Sequence, residues 1–144
     1  MRTVAAILKH KGYQVTTVEP TATTAQVGLL AGLRIGAVLV IDRTEQLLGM
    51  VGEREIMRAI AANGVRTLEM SAGQVMTRNL QVAHPATIVA EAMTMMTIDR
   101  SSHLPVMDQD VLVGRISIGD VVKARIMEKE SEVDSLKTYV AGMG

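Results

Sequence analysis

A chain of 144 residues with a hydrophobic fraction of 48% can bury a core of its own, as one domain or as a pair of small intertwined units. Basic and acidic residues balance at 15 each and no basic run occurs, and aromatics make up only 1%, so neither phosphate attraction nor base stacking favours a nucleic-acid partner. The absence of cysteine removes disulfides and thiolate metal sites, and no apolar run approaches the length of a membrane span.

Thr3 to Lys11 reads as a short helix with Val4, Ile7 and Leu8 on one face, ended by Gly12. Its apolar patch is too short for a signal peptide, so a soluble, cytoplasmic protein with no membrane partner is expected. Tyr13 to Val18 is rich in β-formers and stops at Pro20. Thr23 or Thr24 caps a helix carrying Val27, Leu30 and Leu33. Ala37 to Ile41 reads as a buried strand, Leu47 to Val51 as its return, and Glu53 to Ala62 as a helix with Ile56, Met57 and Ile60 turned inward. After a connector, Leu80 to Val82 is expected as a strand. Thr87 is expected to cap a helix over Val89 to Ile98, with Ala92, Met93 and Met96 inward. Ser102 to Met107 and Val111 to Ile116 are expected as a hairpin, and a last helix starts at Ile118 or Gly119.

The same order of elements thus occurs twice, and the repetition extends to particular residues. Leu47-Leu-Gly49-Met-Val-Gly52-Glu-Arg54-Glu55 is a ragged copy of Val111-Leu-Val-Gly114-Arg-Ile-Ser117-Ile-Gly-Asp120. An offset of 65 residues separates Gly49 from Gly114 and also Glu55 from Asp120. Each copy is a strand that runs straight into a helix, with an acid in the first helical turn.

Ser117-x-x-Asp120 has two readings. It is a capping box that satisfies backbone N–H groups at the helix start. It is also a ribose-phosphate corner: a helix N-terminus draws phosphate, and a carboxylate accepts the two protons of a ribose diol. Repeat one, with Gly52 at the cap and Glu55 three residues on, fits the capping reading less well. The three histidines show no ligand spacing, Ser101 and Ser102 have no base beside them, and no glycine-rich phosphate loop occurs, so no metal and no catalytic residue is expected.

The second repeat resembles the cystathionine-β-synthase (CBS) domain, and the whole chain resembles a tandem pair of them, a Bateman module. Val75-Met76-Thr77 is similar to the family's opening motif, His103-Leu-Pro-Val106 with Asp108 to its L-P-V strand, and Gly114-Arg-Ile-Ser117-x-x-Asp120 to its corner. Repeat one keeps Arg34-Ile-Gly-Ala, Val40-Ile-Asp42, Gly49-Met-Val and Glu53-Arg54-Glu55. The resemblance implies an α/β (α+β) fold of two βαββα repeats packed with pseudo-twofold symmetry. The expected division is 8–65 and 74–130, with a C-terminal helix extension over 131–144.

It also implies an adenosine ligand (AMP, ADP, ATP, NAD(H) or S-adenosylmethionine) in the cleft between repeats, each site mixing the two. One site would combine Ser117 and Asp120 with Thr16, Thr17, Ile35, Gly36 and Ala37. The other would combine Arg54 and Glu55 with Thr77, Leu80, Gln81, Ser102 and His103. Repeat one departs from the pattern at Leu39, Gly52 and Glu55, where Pro, Ser or Thr, and Asp are usual, so Asp120 is expected to be the better ribose holder. The function implied is a non-catalytic regulatory sensor of adenine nucleotides, pairing as a homodimer and passing its state to itself or to a regulated protein. The alternative is a dimeric scaffold with degenerate pockets. An enzyme acting on nucleotides has the least support in the residues.

The last helix carries a stripe, Val122, Ile126, Val133, Leu136 and Val140, near heptad spacing and interrupted by Lys129. It reads either as packing on its own domain or as a subunit contact.

Overall fold

The chain is described by a computed structural model covering residues 1–30 and 36–143. The elements are α1 (Val4–Lys11), β1 (Thr17–Val18), α2 (Thr24–Leu30), β2 (Ala37–Ile41), β3 (Leu47–Gly52), α3 (Glu53–Asn63), a 3-10 helix (Gly64–Glu69), α4 (Ala72–Val75), α5 (Val89–Asp99), β4 (His103–Asp108), β5 (Val111–Ser117) and α6 (Ile118–Met143). The mixed α/β architecture with two small sheets and a long final helix agrees with the fold expected from the sequence. Leu33 and Ile35, both given roles above, lie outside the described residues.

In the first repeat β1 runs parallel to β2, with Thr17 opposite Leu39, and β2 pairs antiparallel with β3. The hairpin turn is built by Asp42, whose Oδ1 accepts from the Thr44 N–H, the Thr44 hydroxyl and the Gln46 N–H at 2.8, 2.6 and 3.0 Å. In the second repeat β4 and β5 form a two-stranded antiparallel sheet, and Gln109 and Asp110 take the positive φ values that a tight hairpin demands.

The structure departs from the sequence expectations at four places. β1 is confined to Thr17–Val18 of the longer β-rich stretch. Leu80–Val82 forms no strand; the parallel pairing shrinks to one bridge, Ala83 to Val106, because Pro85 lacks an N–H and the His84 N–H is taken by the Thr87 hydroxyl at 2.9 Å. Thr87 is therefore occupied with His84, and Ile88 stands at the N-cap of α5. Finally, Met57 and Ile60 face outward, 63% and 41% exposed. Glu55 sets the phase of α3 by turning inward, which keeps Ile56 on the packed side as expected and puts Ala59 there in place of Met57 and Ile60.

The two repeats exchange their leading segments. α1 precedes repeat one, yet Val4, Ile7 and Leu8 are buried with Val89, Ala92, Met96, Leu104, Val106, Ile116 and Val121 of repeat two. α4 precedes the second unit's first bridge, yet Ala72 and Met76 are buried with Val27, Val38, Val40 and Val51 of repeat one. A third cluster closes the seam: Ala37, Leu39 and Met50 are packed by Leu80 and Leu112. The edge of β3 is tied to the connector by paired Met50 and Thr77 backbone bonds of 3.0 Å each. A Cβ on Gly49 would fall 2.6 Å from the Thr77 carbonyl oxygen, so only glycine allows the approach.

Candidate functional site

Each strand-to-helix corner can be built from its backbone outward. At the first, β3 ends at Gly52 and α3 starts at Glu53. The Glu55 side chain, 3% exposed, folds back so that Oε1 accepts the Gly52 N–H at 2.8 Å and Oε2 accepts the Thr77 hydroxyl at 3.0 Å. Arg54 Nε stands 3.5 Å from the same Oε2. A carboxylate offers about four lone-pair positions, so these bonds leave it acceptor capacity for a ligand hydroxyl. Gly52 has no side chain to return the capping bond, which leaves N–H groups of the first turn of α3 without a side-chain acceptor. A Cβ at Gly52 would sit 3.2 Å from the Gly36 carbonyl oxygen, so a serine or threonine there would require the Gly36 peptide to give by a few tenths of an ångström.

This corner opens on a cavity of about 330 Å³ between the repeats. Repeat one contributes Gly36, Met50, Gly52, Glu53, Arg54 and Glu55. Repeat two contributes Arg100, Ser101, Ser102 and His103. Arg54 also fastens the two sides, its Nη1 donating to the Arg100 carbonyl at 2.8 Å. Arg100 adopts a left-handed conformation at the end of α5, with φ 51°, and so turns the chain toward β4.

His103 lies across the floor. A Cβ on Gly36 would meet His103 Cε1 at 2.8 Å, and Gly36 itself has φ +81°, so this position admits glycine for two reasons. Arg115 Nη1 is 2.6 Å from His103 Nδ1. A guanidinium only donates, so Nδ1 accepts and the ring proton resides on Nε2. Burial lowers the His103 pKa to about 4, with the nearby Arg115 and Lys11 charges acting in the same direction. The ring is thus a neutral Nε2–H donor.

At the second corner the capping box is complete. The Ser117 N–H donates to Asp120 Oδ2 at 2.9 Å and the Asp120 N–H donates to Ser117 Oγ at 3.1 Å. Lys11, at the end of α1, places its Nζ 2.6 Å from the same Oδ2 and 2.9 Å from the Arg115 carbonyl. Burial raises the Asp120 pKa, but the Lys11 and Ser117 hydrogen bonds outweigh that effect and hold it below the ordinary carboxylate value.

Of the sequence-derived candidates, Gly36, Arg54, Glu55, Ser102 and His103 line the cavity and Thr77 touches it through Glu55. Thr16, Thr17 and Ala37 lie along the β1–β2 pairing, with Ala37 fully buried, and do not line the cavity. Leu80 packs on the seam cluster and lines a separate open groove of about 430 Å³ with Arg78, Val82 and His84; Gln81 is half-buried nearby in sequence and lines neither. Ser117 and Asp120 sit at the corner that Lys11 occupies. Met50, Glu53, Arg100 and Ser101 also line the cavity, although the sequence assigns none of them to a ligand. For Arg100 the signal was its place between a helical pattern and the L-P-V strand. Among the described residues there is no metal-binding cluster, and no helix is long and apolar enough to cross a membrane.

The neutral His103 makes a pH prediction. An unfolded histidine titrates near 6.5. A folded value of about 4 means that the stabilisation is complete above pH 6.5 and is lost as pH falls toward 4. Melting temperature is expected to drop over that window in the parent chain and to drop less in His103→Gln. Asp120, also depressed, loses its contribution at lower pH in both proteins. Equal slopes between pH 6.5 and 4 would contradict the neutral assignment.

Comparison with known proteins places these features in a family. The CBS domain model matches residues 4–62 and again residues 72–127. The mitochondrial CBS domain-containing protein CBSX3 of Arabidopsis thaliana is 36% identical over 112 residues, covering 75% of this chain and 54% of that protein. The chain thus spans about half of that relative, and only 20–21% of several longer Arabidopsis CBS proteins. The crystal structure of a CBS-domain containing protein from Agrobacterium tumefaciens superposes with a TM-score of 0.82 at 38% identity, covering 86% of this chain and 99% of that one. CBSX2, solved in complex with AMP, superposes with a TM-score of 0.65 at 23% identity over 80% of this chain and 90% of its own. With two matches in tandem, a shared fold and the doubled acid corner, the chain belongs to the CBS domain family as a CBS pair.

Proposed function

We propose that this CBS pair is a regulatory module that binds an adenine nucleotide, of the AMP, ATP or NAD(H) type, in the cavity between Glu55 and His103. The observation that carries this reading is the cavity itself. At about 330 Å³ it falls within the roughly 300–1,000 Å³ of small-molecule sites, and it draws residues from both repeats. Glu55 accepts the hydroxyls of a ribose. The N-terminus of α3, with Arg54 and Arg100 at its mouth, favours a phosphate. The His103 Nε2–H donates to a base or ribose acceptor. The AMP held by the CBSX2 structure adds support of the same kind. Because both repeats line the cavity, a ligand there stabilises one relative arrangement of them, and that arrangement is the signal a partner or a second copy reads.

This reading favours the Glu55 corner over the Asp120 corner, whose carboxylate already holds Lys11. The occupied Asp120 corner is also the observation that favours the alternative, a scaffold whose pockets have degenerated. A thermal-shift panel with AMP, ATP, NADH and S-adenosylmethionine separates the two. Binding at a hundred times the dissociation constant stabilises the fold by about 2.7 kcal/mol, a rise of several degrees for a chain this size. A rise with at least one nucleotide, absent with adenine-free phosphates, is the expected result. No rise with any of the four leaves the scaffold.

A further inference from the structure

The helix α6 outlasts the domain it starts in. Its first turns pack inward through Val121, Ala124 and Glu128, all buried. From Lys129 to Val140 every residue is exposed. A helix of about four turns with solvent on all sides is marginal by itself. This one includes Ser131, Val133, Asp134, Ser135, Thr138 and Val140, none a strong helix former. Arg2 faces it across an open groove lined by Glu130, Ser131, Asp134, Ser135 and Thr138, and none of Lys129 to Val140 is buried.

The exposed apolar positions have a regular order. With Ile126, Val133 and Val140 as a positions, Val122, Lys129 and Leu136 fall at d, a spacing alternating between four and three residues. In the same heptad Val121 and Glu128 are c and Ala124 is f. The side packed on the chain's own domain is therefore opposite the a/d seam, and the seam points away from that domain.

The flanking charges specify a partner. Glu130 and Lys137 are e positions, and Arg125 and Glu132 are g positions. In a parallel pair each g residue faces the e residue five places on in the other helix. Arg125 then meets Glu130 of a second copy, and Glu132 meets Lys137, opposite in sign each time and doubled by symmetry. Lys129, the polar seam residue, costs stability and fixes register as a lone polar residue in such a seam does. We propose that α6 pairs with α6 of a second copy as a parallel two-stranded coiled coil from Val122 to Val140.

The absence of cysteine permits a direct test on the full chain. Leu136→Cys would place two thiols across the seam from each other, within the Cα separation of about 4.4–6.8 Å that a disulfide needs. Ser135→Cys points outward. Under mild oxidation the first variant is expected to form a covalent dimer and the second to stay uncrosslinked. In sedimentation the parent chain should be dimeric. Val133→Asp with Leu136→Asp should raise its dimer dissociation constant by about a hundredfold or more, since two apolar seam layers are lost. Both residues are exposed, so the domain is expected to keep its own melting transition. A monomeric parent, a double variant that stays fully dimeric, or a Leu136→Cys chain that fails to crosslink would each overturn the proposal.

Discussion

Glu55→Ala is expected to lower nucleotide affinity by roughly tenfold to a hundredfold and to destabilise the fold by about 1–3 kcal/mol. Both effects follow from the same carboxylate. Its two oxygens satisfy the Gly52 N–H and the Thr77 hydroxyl in a place that water barely reaches. Removing it strands both donors, and a stranded buried donor costs more than the bond was worth. Gly52 cannot compensate, because it has no side chain. Glu55→Gln separates the two effects. The amide keeps the volume and one carbonyl oxygen for Gly52 or Thr77, so the fold loses less. It replaces the other acceptor oxygen by a donor, so a ribose diol loses a partner. Calorimetry with AMP and urea melts of the two variants, side by side, give the comparison. Affinity that survives unchanged in both variants would remove Glu55 from the ligand site and leave it a purely structural cap. Asp120→Ala is expected to change AMP affinity less than Glu55→Ala, because Lys11 already holds that carboxylate.

The doubled corner was readable because its residues lie close together in sequence. Glu55 and Asp120 each act on a backbone group three residues back, and an i to i+3 relation survives in a single string of letters. The strands β2 to β5 were readable for the same reason, since alternation and apolar runs are local. What remained hidden depends on long-range neighbours. Nothing near Lys11 in the sequence announces Asp120, 109 positions away. The phase of α3 is hidden for the same reason: Met57 and Ile60 resemble an apolar face in the sequence, whereas the inward turn of Glu55 toward Thr77 decides the rotation. The expected strand over Leu80–Val82 failed because His84 and Pro85 spend their backbone positions on a turn. The cavity was legible only in its halves: each half has a motif, but the Arg54 to Arg100 clasp that joins them has none.

Leu8→Ala is expected to cost about 2–5 kcal/mol, and the loss should fall on the second repeat. Leu8 is 1% exposed and lies in the core cluster with Leu104, Val106 and Ile116, although it stands ahead of the first repeat in the chain. Its methyl groups fill the space over Gly114, where an added Cβ would come within 2.8 Å of Leu8 Cδ2. Truncation therefore opens a void between α1 and β5 that neither the glycine nor the strand backbone can move to fill. Lys11 rides on the same helix, so loosening α1 also releases the contact with Asp120. Native-state hydrogen exchange reads the distribution directly. Amides of β4 and β5 should lose protection before those of β2 and β3, since α1 shares no core cluster with the first sheet. Met76→Ala should give the reverse pattern, because Met76 is buried in the first repeat's cluster while its sequence neighbours lead into the second. If both variants loosen all five strands to the same degree, the seam cluster of Ala37, Leu39, Met50, Leu80 and Leu112 binds the repeats into one cooperative unit. The exchanged helices would then have no separate domains to stabilise.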